Sequence, residues 1–157
     1  MKTKTKIWIY LISIMGVLLI LIGSCKKKDN SASPETIEIG HTYAGGIIFY
    51  IDSTKQHGFV CASTDQGNGV DWATAFQVCT AYKGSGFNDW FLPPIDKLRL
   101  MYWNLFKKGI GNFQSSGDYW SSTEATYYYA WYFEFWNAKE GSGDKGAFIQ
   151  ARAVRAF

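Results

Sequence analysis

The chain is 157 residues long and carries 16 Lys and Arg against 13 Asp and Glu, a formal charge of +3, with 18% of its residues aromatic. That length suits one domain with one core plus short extensions. Beyond residue 36 ten cationic side chains face eleven acidic ones, a balance of −1, so no positive field remains to steer a polyanion and a nucleic-acid partner is not expected.

Residues 1–24 read as a lipoprotein signal peptide. Lys2, Lys4 and Lys6 precede an apolar run from Ile7 to Ile22, and small residues follow before Cys25, the order of a secretory leader. The run's sixteen residues fall short of the roughly twenty of a spanning helix, which favours a cleaved leader over an uncleaved anchor. Leu21-Ile22-Gly23-Ser24-Cys25 resembles a bacterial lipobox, which implies that Cys25 becomes the acylated first residue of the mature chain. More than one acyl chain, at about 0.8 kcal/mol per buried CH₂, is enough for stable membrane attachment. The expected location is therefore a lipid-anchored one at the bacterial outer membrane or cell surface. Residues 25–36 form a polar tether, in which Lys26, Lys27 and Lys28 either touch anionic headgroups or stay solvated.

The folded domain is expected over residues 37–157. Gly45–Asp52 and His57–Ser63 are β-rich apolar runs separated by a short polar connection, which predicts a hairpin with His57 at its turn rather than in a metal or catalytic site. Trp72, Ala75, Phe76 and Cys79 recur at i, i+3, i+4 and i+7 behind Asp71, the pattern of a capped helix with one face in a core. A second helix is predicted from Pro93 and Pro94, with Ile95, Leu98, Tyr102 and Leu105 on one face and Lys107, Lys108 and Gly109 at its end. Strands follow in DYWSST, TYYYAWYFEFW and KGAFIQARAVRAF, with the glycine-bearing NAKEGSGD as the turn between the last two. The order is strand pair, helix, helix, strand cluster: an α+β class.

Cys61 and Cys79 are an even pair for an exported protein. They are either a disulfide, closing a loop for roughly 3 kcal/mol, or two buried thiols. No Ser-His-Asp set, metal-spaced histidine cluster or phosphate loop accompanies them, so no catalytic residue, metal or cofactor is expected.

Ten of the eighteen residues from Tyr119 to Trp136 are aromatic. Period two over residues 127–136 places Tyr127, Tyr129, Trp131, Phe133 and Phe135 on one strand face, expected to be core, and Tyr128, Ala130, Tyr132, Glu134 and Trp136 on the other. Tyr128, Tyr132, Glu134 and Trp136 of the second face, with Asn137, Lys139 and Glu140, are either a ligand wall of amphipathic rings and polar groups or the ordinary finish of a sheet. Trp90, Trp120 and Trp131 are expected to be structural.

YAGGIIFYID, HGFVCASTDQ, DWFLP, YWSSTE, AWYFEFWNAKEG and VRAF, in that order, resemble the Lcl C-terminal-like domain of bacterial surface proteins over nearly all of residues 40–157. The resemblance implies a C-type-lectin-like fold with two helices and a looped antiparallel sheet, and adhesion to glycans, matrix polymers or proteins. The sequence departs from the family pattern at Lys97 and Cys61, and it lacks the Glu-Pro-Asn tripeptide of calcium-dependent sugar readers. Similar surface lipoproteins are variable targets of diversity-generating retroelements, which is the alternative reading. Formylglycine-generating enzymes share the broad fold and supply a less favoured one.

Overall fold

A computed structural model describes residues 36–157; the leader over 1–24, the acylation at Cys25 and nearly all of the tether over 25–36 lie outside the described residues. The first strands are β1 (Thr42–Tyr43), β2 (Gly46–Ile51), β3 (Gly58–Cys61) and β4 (Gly67–Val70), followed by helices α1 (Trp72–Ala81) and α2 (Ile95–Asn104). Strands β5 (Asp118–Glu124), β6 (Tyr129–Glu134), β7 (Lys139–Asp144), β8 (Ile149–Ala151) and β9 (Val154–Ala156) complete the chain. They form a four-stranded sheet in the order β1-β2-β3-β9 and a five-stranded sheet in the order β4-β8-β5-β6-β7. All pairings are antiparallel except β5 with β8. The class is α+β, as the order of sequence patterns predicts.

The β2–β3 hairpin and the two helices each have a local cause. The β2–β3 turn closes through the Asp52 amide donating to the His57 carbonyl at 2.9 Å, and His57 is an exposed turn residue. Asp71 caps α1, its carboxylate accepting from the Thr74 amide at 2.8 Å and the Thr74 hydroxyl at 2.9 Å, which satisfies a donor that the first helical turn leaves free. Helix α2 begins after Pro94 and is followed by a 3-10 turn over Phe106–Lys108. That turn stops at Gly109, which sits at φ 71° in the left-handed region where a side chain is strained.

Two apolar clusters form the core. Residues from α1, with Ile48, Val60, Trp90, Leu92, Trp120 and Ala130, make the first; residues from α2, with Phe49, Cys61, Tyr119, Phe133, Phe135 and Val154, make the second. Neighbouring residues of one strand go to different clusters: Val60 and Cys61 on β3, Tyr119 and Trp120 on β5. These strands are therefore apolar on both faces, which explains why the sequence reads as continuous apolar runs rather than as strict alternation.

The same geometry answers the cysteine question. Cys79 belongs to the first cluster and Cys61 to the second, and both are free buried thiols. The disulfide that the pair allows is not formed, because period two turns Cys61 away from the cluster that holds Cys79.

KGAFIQARAVRAF is not one strand. It splits at Arg152-Ala153, with β8 in the larger sheet and β9 in the smaller. Arg152 is fully buried at the crossing. Its Nε donates to Asp65 Oδ1, its Nη1 to the carbonyls of Ala62 and Gly111 at 2.9 and 2.8 Å, and its Nη2 to that of Asn112 at 3.2 Å. Arg155 donates to both Asp89 oxygens, at 2.7 and 3.0 Å, and to the Ala44 carbonyl at 2.8 Å, over the Phe87 ring. Buried guanidinium groups persist only when their donors are met in this way. The charged residues of the closing motif are thus struts that tie loops to the strand crossing.

Candidate functional site

The aromatic segment divides differently from its sequence period. Strand β6 starts only at Tyr129, so Tyr127 and Tyr128 belong to the β5–β6 connection, where period two does not hold. That connection is closed by the amides of Ala125 and Thr126, which donate to the Tyr129 carbonyl, both at 2.9 Å. Of the five residues expected in the core, only Phe133 and Phe135 are buried; Tyr127 is 80% exposed, Tyr129 46%, and Trp131 is half-buried and outside both clusters. Trp90 and Trp120 are buried as expected, and the Trp120 indole Nε1 donates to the Val70 carbonyl at 2.9 Å.

On the other face, Ala130 is buried and Tyr132 is half-buried against Trp120, with ring centroids 6.1 Å apart. Tyr132 also lies over β7, where a Cβ at Gly141 would stand 2.4 Å from its ring. This contact explains why NAKEGSGD is not the expected turn. Lys139–Asp144 is strand β7, paired with β6 from Glu134–Lys139 to Tyr129–Asp144, and the turn is Phe135–Ala138. A strand of Lys, Glu, Ser, Asp and glycine has little β-propensity, but it is an edge strand, where charge discourages further pairing.

The seven residues expected to form one ligand wall are therefore split. Tyr128, 68% exposed, lies at one end of β6, and Trp136, 61% exposed, lies at the other, roughly 20 Å away along a six-residue strand. Near Trp136 stand Asn137, whose Oδ1 accepts from the Lys139 amide at 3.1 Å, and exposed Lys139, across from Glu134. Glu140 is engaged elsewhere, paired with Arg99 of α2. Tyr132 is a packing residue between these ends.

The Tyr128 end is the richer surface. Tyr127, Tyr128 and Tyr129 are all exposed, and the Tyr127 and Tyr128 rings meet edge-on at 4.8 Å. Lys145 joins the β5–β6 and β7–β8 connections there. Its amide donates to the Tyr128 carbonyl at 3.0 Å and its Nζ to the Tyr127 carbonyl at 2.9 Å. The same Nζ pairs with Glu124 and lies 4.5 Å from the Trp72 ring centroid. The result is a row of amphipathic rings on a braced loop pair, suited to stacking and edge hydrogen bonds. Sequence reasoning misses Lys145; the available signal is that it lies in a glycine-bearing connection.

Both cysteines among the described residues are buried. Burial pushes the Cys61 and Cys79 thiols up to about 12, so both stay protonated and unreactive. Burial also raises the Tyr119 hydroxyl, with Asp65 adding to it. That hydroxyl donates to Asp65 Oδ2 at 3.1 Å and accepts from the Gln114 amide at 2.9 Å, a bracing role. Among the described residues no group of three or more His, Cys, Asp or Glu could hold a metal ion, and no helix is long and apolar enough to cross a membrane. In comparison with known proteins, the chain matches no family model and no curated protein.

Proposed function

We propose that this protein is a bacterial lipoprotein, acylated at Cys25 and held at the outer membrane or cell surface, that presents a lectin-like binding module for adhesion. In this reading the domain is of the Lcl C-terminal-like kind with a C-type-lectin-like fold, its ligand is a glycan, a matrix polymer or a protein, and no enzymatic step is involved. The observation that carries the reading is the shared exposure of Tyr127, Tyr128 and Tyr129 where β6 begins. Exposed rings gathered at one place mark interaction surfaces more often than rings scattered singly. The α+β order and the motif series from YAGGIIFYID to VRAF support the fold; the lipobox supports the anchor.

The alternative, a variable retroelement target, draws on the same observation, because SSTEATYYY and FWNAKEGSGD contribute exposed residues at both ends of β6.

A glycan and matrix-protein array probed with the parent and with Tyr127→Ser/Tyr128→Ser tests the binding surface. Loss of a reproducible ligand in the variant, at unchanged melting temperature, is expected; equal binding by both would move the surface elsewhere. Fatty-acid analogue labelling of the parent and Cys25→Ala tests the anchor, and equal labelling of the two would remove it.

A further inference from the structure

At the opposite end of the sheet two carboxylates face each other. Asp118 on β5 and Glu134 on β6 are direct cross-strand partners, a placement in which like charges destabilise a sheet. Asp118 Oδ1 is buried and, among the described residues, has no hydrogen-bond partner. The groups around the pair offer little relief. Strand β6 supplies Tyr132, the turn supplies Trp136, and neighbouring β8, Ile149–Ala151, contributes no charged residue. Lys139 of β7 lies across from Glu134 but makes no ion pair with it among the described residues.

The turn that carries Trp136 is fastened beside this pair. The Phe135 amide donates to the carbonyl of Gly117, the residue before Asp118, at 3.1 Å, and the Ala138 amide donates to the carbonyl of Glu134 at 2.9 Å. Any separation of the two carboxyl groups therefore acts on both fastenings. We propose that the Asp118–Glu134 pair is an acid-dependent latch for the turn over residues 135–138, closed while one proton resides on the pair and loosened when both carboxyls are charged. This places pH control over the presentation of Trp136, Asn137 and Lys139, whatever binds at the distant tyrosine end.

The direction of titration agrees with the geometry. Burial raises the Asp118 carboxyl above its ordinary value of 3.8, and the Glu134 charge raises it further, while Trp136 opposes both as a donor. Tyr132 is raised as well, by burial first and then by Glu134 and Asp118. For a carboxyl raised on folding, the stabilisation is fully present below the unfolded value of 3.8 and is lost as pH climbs through the folded value. The latch thus opens on going from acid towards neutral pH.

Hydrogen exchange of the full chain in detergent, followed for the amides of residues 135–139 between pH 4 and pH 7 and corrected for intrinsic rates, tests this. Protection in the parent is expected to fall as pH rises, to fall less in Glu134→Gln, where burial of Asp118 remains but the opposing charge is gone, and to stay level in Asp118→Asn. Level protection in the parent, or the same fall in a variant, would overturn the proposal. If Asp118→Asn does not fold, Glu134→Gln alone decides, because it removes the opposing charge and leaves Asp118, with its buried Oδ1, in place.

Discussion

Seven of the ten aromatic residues from Tyr119 to Trp136 fall into two populations that composition does not distinguish. Tyr119, Trp120, Phe133 and Phe135 are at most 2% exposed; Trp120 belongs to the first core cluster, and the other three share the second, as in the 4.5 Å approach of the Tyr119 and Phe135 ring centroids. Tyr127, Tyr128 and Trp136 are more than half exposed and lie in the two connections that flank β6. Ring chemistry is similar in both; what covers the ring decides. Rings packed into the core clusters are buried, Phe135 in the turn included, whereas Tyr127, Tyr128 and Trp136 are left in solvent by the connections that carry them.

The comparison is broken most forcefully from its buried side. Arg152→Met should cost about 3–5 kcal/mol, because it leaves Asp65 and three loop carbonyls without their donor in a buried site; urea denaturation measures it. Trp120→Ala should cost about 3–5 kcal/mol by loss of contacts and a residual cavity, whereas Trp131→Ala, at a half-buried position outside both clusters, should cost about 1 kcal/mol. Equal losses for these two tryptophans would show that the faces of β6 are assigned wrongly.

Gly141→Ala sharpens the boundary between the populations. A methyl group would meet the Tyr132 ring, and the expected loss is about 1–3 kcal/mol, as for other overpacked sites, visible as a lower urea midpoint. Asp71→Ala should cost about 1 kcal/mol through the missing cap of α1. The Thr74 amide also holds the Asp71 carboxyl below its ordinary value of 3.8. That stabilising contribution is present above pH 3.8 and fades as pH falls through the folded value, so parent and variant should converge in acid.

Local signals made much of the fold legible. Asp71 ahead of Trp72, Ala75, Phe76 and Cys79, and the two prolines ahead of Ile95, mark helices through chemistry confined to a few residues. The polar stretch between Asp52 and His57 does the same for a hairpin. What stayed hidden depends on distant partners. Lys139–Asp144 is a strand because Tyr132 needs the glycines and because β6 offers a ladder, and neither condition is written in those six residues. Arg152 looks like a surface charge until the crossing between sheets brings Asp65 and the Ala62 and Gly111 carbonyls around it. Period two puts the expected ligand wall on one strand face, but it holds only inside a strand; Tyr127, Tyr128 and Trp136 lie in the connections.

The most direct test of the two populations compares the urea midpoints of Phe133→Ala and Tyr128→Ala, two truncations of a single ring only five positions apart. Phe133→Ala should lower stability by about 3–5 kcal/mol, while Tyr128→Ala should stay within about 0.5 kcal/mol of the parent, as expected for an exposed site. A Tyr128→Ala protein as destabilised as Phe133→Ala would contradict the division of this segment into a structural and a presented half.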